Sequence, residues 1–242
     1  MKNMIAVLLL LMAGLQPVSA QQGKYDTVAI MILDHMSDVI GDLTSVSFTL
    51  QTRIDADDPD LGLSTHFYKH QVYFDGPDKM LVYSDGDKGK RGFYYNGTRL
   101  VYYSFAENNY AIISTPPTTI ETIDTVNKSY GIDFPAADFF YPTFTDDLMS
   151  SSDKILFAGI RNVDGNECFQ VIAISPEMTI QIWVANDAMN LPVKFLITRH
   201  GKDEGKQYEG TFLNWQINPL LPPSMFEFVP PPKARAISIM AR

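Results

Sequence analysis

RGFYYNGTRLVYYSF, residues 91–105, sets two apolar runs either side of Asn96-Gly97, and six of its fifteen side chains are aromatic. Asn-Gly between such runs is a strong short-range hairpin signal, through a two-residue type I′ turn. That turn predicts the pairs Tyr95–Thr98, Tyr94–Arg99 and Phe93–Leu100. Side-chain alternation puts Phe93, Tyr95, Leu100 and Tyr102 on one face and Tyr94, Arg99, Val101, Tyr103 and Phe105 on the other. Both faces are aromatic, so both are expected to be covered. The first set is assigned to the inside.

The same period of two recurs outward from this hairpin. In SVSFTLQTRI, residues 45–54, Val46, Phe48, Leu50, Thr52 and Ile54 form a dry face. DADDPDLG follows as a turn, then the strand LSTHFYKHQVYF and a short strand at 80–84. Another strand is expected at 110–113. From Lys154 onward five more follow in a meander: KILFAGIR, ECFQVIAI, TIQIWVA, LPVKFLITR and KQYEGTFLNWQI. The prolines of PLLPPSMFEFVPPPKARAI exclude a central strand there. Helical spacing is confined to 25–40, to TTIETIDTVNKSYG and to two short pieces, DFPAADFFYP and FTDDLM. In the first helix Val28, Ile32, Met36 and Val39 recur at helical spacing, with Ala29, Leu33 and Ile40 beside them and Asp26 as N-cap. In the second, Thr118 or Thr119 is the cap and Ile120, Ile123 and Val126 form the stripe. Eleven strands and a few helices predict an α+β fold. It is one curved antiparallel sheet, a half-open β-barrel, with helices on one face and a single domain over 21–242.

Composition narrows the function. Lys2, the apolar run Ile5–Leu11 and Val18-Ser19-Ala20 read as a secretory signal peptide over residues 1–20, cut after Ala20. The apolar run is too short to span a bilayer, so no stable membrane span is expected. Cleavage removes Lys2 and no acid, taking 19 basic residues to 18 against 28 acidic, a net charge of −10. Such a chain repels phosphate backbones, so nucleic acid is excluded as a partner. The single cysteine, Cys168, forms no internal disulfide, and an exported chain of this kind depends on its core.

Catalytic and metal motifs do not assemble. His66 and His70 have the spacing of a helical metal pair, but HFYKH lies in a strand, where positions four apart are about 13 Å apart. They read as solvated sheet histidines. DADDPDLG lacks the glycine and glutamate of a calcium loop. No Gly-x-Ser-x-Gly elbow is present, and Cys168 reads as a buried, inert thiol. No catalytic residue, metal site or cofactor is expected, and the protein is not read as an enzyme.

The pieces also follow a familiar order: FYYNG-RLVYYS, NNYA, PPTTIETID, YGIDFPAADFFY, G-RNVDG-ECFQV, QIWV, LPVKFLIT, LNWQINP and FEFVPPP, from about Asp34 to Ile237. This string resembles a family of predicted periplasmic proteins of unknown function (domain-of-unknown-function family 2092). That family is similar in turn to the LolA/LolB lipoprotein-localisation superfamily. The resemblance implies a half-barrel closed on its concave side by helices, with an interior that accepts acyl chains or other hydrophobic ligands. Its expected partner is a lipid or lipidated protein in the periplasm. The alternative is a protein-interaction or envelope-sensor domain with a filled core and an envelope protein partner. Strand alternation and helix stripes then nominate the cavity wall. Val46, Phe48, Leu50, Phe93, Tyr95, Leu100, Tyr102 and Trp183 come from strands, and Ile120, Ile123, Phe139 and Phe140 from helical pieces.

Overall fold

A computed structural model describes residues 23–241. The expected signal peptide lies outside the described residues.

The first element is helix α1 (Thr27–Gly41), capped by the Asp26 carboxylate, which accepts the Val28 N–H at 2.9 Å. Its buried stripe is Ala29, Leu33, Met36 and Ile40. Of the expected apolar face, Met36 and the flanking Ala29, Leu33 and Ile40 are the buried part, while Val28 is 48% exposed. Six strands follow in sequence: β1 (Ser45–Asp58), β2 (Gly62–Asp75), β3 (Lys79–Asp85), β4 (Arg91–Tyr95), β5 (Arg99–Ser104) and β6 (Asn109–Ser114). DADDPDLG is not all turn, because β1 runs on to Asp58 and only three residues bridge to β2. Helices α2 (Thr119–Tyr130) and α3 (Phe144–Ser151) come next, with a 3-10 turn at Ala137–Phe140 between them. The second half supplies β7 (Lys154–Val163), β8 (Asn166–Ile174), β9 (Met178–Ala185), β10 (Pro192–Arg199) and β11 (Gln207–Ile217).

All eleven join one sheet in the order β6-β5-β4-β3-β2-β1-β11-β10-β9-β8-β7. A twelfth strand of two residues, β12 (Arg235–Ala236), adds in parallel to the β6 edge. All other strand pairs are antiparallel, and the end strands β7 and β12 do not pair with each other, so the sheet is a half-barrel. No helix among the described residues is long and apolar enough to cross a membrane.

The quoted hairpin differs from its expected register. Tyr95 pairs with Leu100, Tyr94 with Val101 and Phe93 with Tyr102. A type I′ turn needs positive φ at both central residues, and here Gly97 has φ +89° while Asn96 does not. Asn96 instead turns its side-chain oxygen onto the backbone N–H groups of Thr98 and Arg99, both at 3.3 Å. The loop grows by two residues. A slip of two preserves facing, so Phe93, Tyr95, Leu100 and Tyr102 still share the helix-side face.

The opposite face has its own cover. Asn218 begins it by accepting the Thr44 N–H at 2.9 Å. The chain then crosses from β11, beside β1, to β12, beside β6. Phe228 packs on Tyr94, Tyr103 and Tyr110 with ring centroids 5.2–5.4 Å apart. Phe226 is 1% exposed and lies outside the helix-side core, as do the buried Leu81 and Val101. This proline-rich strap therefore seals the outer face with a second, smaller core. Replacing Phe226 by alanine removes its largest buried ring. The expected loss is about 3–4 kcal/mol of unfolding free energy, read by urea denaturation.

Candidate ligand-binding site

Paired residues carry the alternation of one strand across the sheet, so the inner face reads in rows. Val46, Phe74, Met80, Tyr95, Leu100 and Ile113 make one row. Phe48, Val72, Val82, Phe93, Tyr102 and Ala111 make the next. The first row is closed by α2 and the residues leading into it. The Tyr95 hydroxyl donates to the Pro116 carbonyl at 2.8 Å. The Thr119 N–H donates to the Pro77 carbonyl at 2.9 Å. A capping box at Thr118 and Glu121 starts the helix, with the Glu121 N–H 3.3 Å from the Thr118 hydroxyl. Gly131, at φ +62°, ends it.

Beyond the first row the helical layer stands off the sheet, leaving a cleft of about 740 Å³. Val82, Phe93, Tyr102, Tyr68 and His70 line it from the strands. Ile123, Asn127 and the segment 131–138 line it from the helical side, and Ile239 reaches it from the C-terminal segment. A second cleft of about 430 Å³ lies between β9–β11 and α3, lined by Phe139, Phe144, Leu148, Ile180, Ile182 and Phe195. Both volumes fall in the range of about 300–1,000 Å³ typical of small-molecule pockets. Both clefts are open to solvent on one side.

Asp124, Ala136, Asp138, Tyr141 and Tyr208 border both clefts and form the partition between them. The Tyr141 hydroxyl donates to the Asp124 carboxylate at 2.6 Å. Asp138 keeps an exposed edge, yet the walls on either side desolvate its carboxyl. That desolvation, ahead of repulsion from Asp147 and Asp124, raises its pKa. Burial likewise raises the Tyr208 phenol, with the negative charges of Asp138 and Asp133 adding to it.

Of the residues nominated from sequence, Phe93, Tyr102 and Ile123 line the larger cleft and Phe139 the smaller. Phe48 and Phe140 stack at 5.6 Å beside a small hollow of their own. Val46, Leu50, Tyr95 and Leu100 are packed into the core and touch neither cleft. Ile120 is half-buried and lines neither, because α2 turns Thr119, Thr122, Ile123 and Val126 inward. Trp183 is a correction. Ile180 and Ile182 take the inner face of β9, so Trp183 points to the outer one, where its cross-strand neighbours are Gln170 and Lys194. The inward tryptophan is Trp215, which packs on Phe48, Phe140 and Phe212. Tyr208, Phe195 and Ile182 went unnominated, although their strands carry the same alternation.

His70 is a second correction. It is 4% exposed rather than solvated, with Nε2 3.1 Å from the Thr52 hydroxyl. Burial lowers its pKa from 6.5 to about 4, so the ring is neutral. His66 is paired with Asp87. Among the described residues, no group of three or more His, Cys, Asp or Glu side chains comes together as a metal site.

The geometry defines a half-barrel with a cleft under its helices. The family described as predicted periplasmic protein (DUF2092) matches residues 29–240, and the chain belongs to it. Lipoprotein LppX from Mycobacterium tuberculosis is similar in structure, with a TM-score of 0.50 at 14% identity over 81% of this chain and 98% of that one. An uncharacterized conserved protein from Thermus thermophilus gives a TM-score of 0.49 at 12% identity, over 87% and 98% of the two chains. A LolA-superfamily protein from Nitrosomonas europaea gives 0.39 at 12% identity, over 83% and 97%. At that identity the likeness to LppX shows the fold alone. A comparison with curated proteins gives no match.

Two outcomes are expected from this geometry. As pH falls from 6.5 to about 4, the unfolded chain takes up a proton that folded His70 refuses. Stability should drop over that window by up to about 3 kcal/mol, and a His70→Gln variant should lack that part of the slope in urea titrations. Separately, a Cβ on Gly210 would stand 2.2 Å from the Phe195 ring. Gly210→Ala should push that ring toward the smaller cleft, costing about 1–3 kcal/mol in the same assay.

Proposed function

We propose that this protein binds hydrophobic ligands in the periplasm, holding lipid or the acyl chains of a lipidated protein between sheet and helices. The reading is one of binding and carriage, without chemistry. One observation carries it: two adjoining clefts, of about 740 and 430 Å³, lined largely by aromatic and aliphatic side chains under a helical layer too short to fill them. Each buried methylene contributes about 0.8 kcal/mol, so a long acyl chain gains on the order of 10 kcal/mol before costs. Family membership and the sequence of residues 1–20 support the compartment.

A second reading, docking to an envelope protein, is favoured by the β1–β2 hairpin. Its far end extends past the pairing of β3 and β11 and carries Leu61, Leu63 and Phe67, which are 78%, 58% and 64% exposed. The two readings are compatible, since Leu61, Leu63 and Phe67 line neither cleft.

Native mass spectrometry of protein purified from the periplasm, followed by lipid extraction, tests the first reading. A bound acyl-lipid mass is expected. Filling the smaller cleft with Ile182→Trp should reduce the bound fraction. An apo mass alone, with no thermal shift on adding fatty acid or lysophospholipid, would overturn the proposal.

A further inference from the structure

A third row lies beyond the two apolar ones on the inner face: Leu50, His70, Ser84, Arg91, Ser104 and Asn109. From β2 onward it is entirely polar. Residues two apart on a strand are about 6–7 Å apart, so the wall changes from apolar to polar within one row. The larger cleft spans that change, with Val82 and Phe93 on one side of it and His70, Ser84 and Arg91 on the other.

Arg91 is the positive charge on this wall, since His70 is neutral. Arg91 is half-buried, and it makes no ion pair among the described residues. A half-desolvated guanidinium left without a counter-charge is a strong donor set for an oxyanion. The Ser84 hydroxyl comes from its cross-strand partner. Across the cleft the charge has the opposite sign. Phe134 packs on Phe93 with centroids 5.3 Å apart, which brings the preceding residue, Asp133, over the same end of the sheet. Asp133 is exposed and accepts a hydrogen bond from Asn127. The other two acids of the cleft lie at the partition, Asp124 held by Tyr141 and Asp138 next to Tyr208.

We propose that the larger cleft seats a phospholipid with a zwitterionic head, its phosphate on Arg91 and Ser84, its amine toward Asp133 and its acyl chain over the Val82–Phe93 row. This rests on the hydrophobic-ligand reading above and narrows it. A carboxylate amphiphile would satisfy Arg91 but set two anions against each other at Asp133. An amine without phosphate would leave Arg91 uncompensated. A head carrying both charges meets both walls, and the polar row stops the chain from sliding further.

The test uses delipidated protein from the periplasm and three probes of equal chain length: lysophosphatidylethanolamine, lysophosphatidylglycerol and monoacylglycerol. Each is titrated below its micellar concentration. Lysophosphatidylethanolamine should bind best and monoacylglycerol weakest. Arg91→Gln should weaken both phospholipids by roughly tenfold, the loss of one charge-assisted contact, and leave monoacylglycerol unchanged. Arg91→Lys should restore part of the loss. Asp133→Asn, at an exposed position, should weaken lysophosphatidylethanolamine alone, and it decides the matter if Arg91→Gln does not fold. Equal binding of all three probes, or equal loss for all three in Arg91→Gln, overturns the head-group assignment while the hydrophobic site stands. If none of the three binds, the hydrophobic-ligand reading falls with it.

Discussion

Twelve strands curve around three short helices without closing, and that mismatch governs the rest of the molecule. A closed barrel of this width could fill itself with inward side chains or enclose a ligand. An open one must be covered, and the cover here is α1, α2, α3 and one 3-10 turn. Where a helix meets the sheet, as α2 does over Tyr95 and Leu100, the interior is dry and fully packed. Where the helical layer stands off, beside Phe93 or Ile182, a cleft remains. The clefts follow from how little helix covers how much sheet.

That geometry explains what could be read from the sequence. Strand alternation is a local property, so the eleven long strands and their inner faces were legible from apolar spacing alone. Even the misread hairpin kept its facing, since the slip of two residues preserves parity. What alternation does not encode is the distance from the sheet to its cover. Val46, Leu50, Tyr95 and Leu100 share the facing of Phe93 and Tyr102, yet the first four are packed and the last two line a cleft. The difference lies in where the helical layer meets the sheet, which at the start of α2 is set by the long-range contacts at Pro77 and Pro116. Trp183 shows the other limit: it lies in a strand evident from the sequence, but on the parity opposite to the inner face. Ile180 and Ile182 carried the correct signal. The role of the C-terminal segment was only half legible. Its prolines excluded a central strand, but nothing local showed that Phe226 and Phe228 would cross the back of six strands.

The two faces of the sheet differ in how they can respond to a ligand. The outer face is fixed by the strap, through the Asn218 cap at one end, ladder pairing of Arg235 and Ala236 at the other, and Phe226 and Phe228 between. The strands are also tied to each other along their lengths. The segment 132–141 is held differently. Its backbone hydrogen bonds run within itself or to α2 and α3, as in Ile132 to Val126, Ala137 to Phe134 and Phe144 to Tyr141. It meets the sheet through side chains such as Phe134 on Phe93 and Phe140 on Phe48. Side-chain contacts of this kind can be exchanged for contacts with an acyl chain at little net cost, because apolar burial is non-directional. Ladder hydrogen bonds cannot be exchanged in that way, since a lipid tail offers no donor or acceptor. In the proposed binding mode the helical wall is therefore the one that yields, and the sheet is the fixed surface. This arrangement also locates selectivity. In that mode, fixed groups on the strands, apolar in one row and polar in the next, would set the depth of an amphiphile, and the layer held by side chains would adapt to its width.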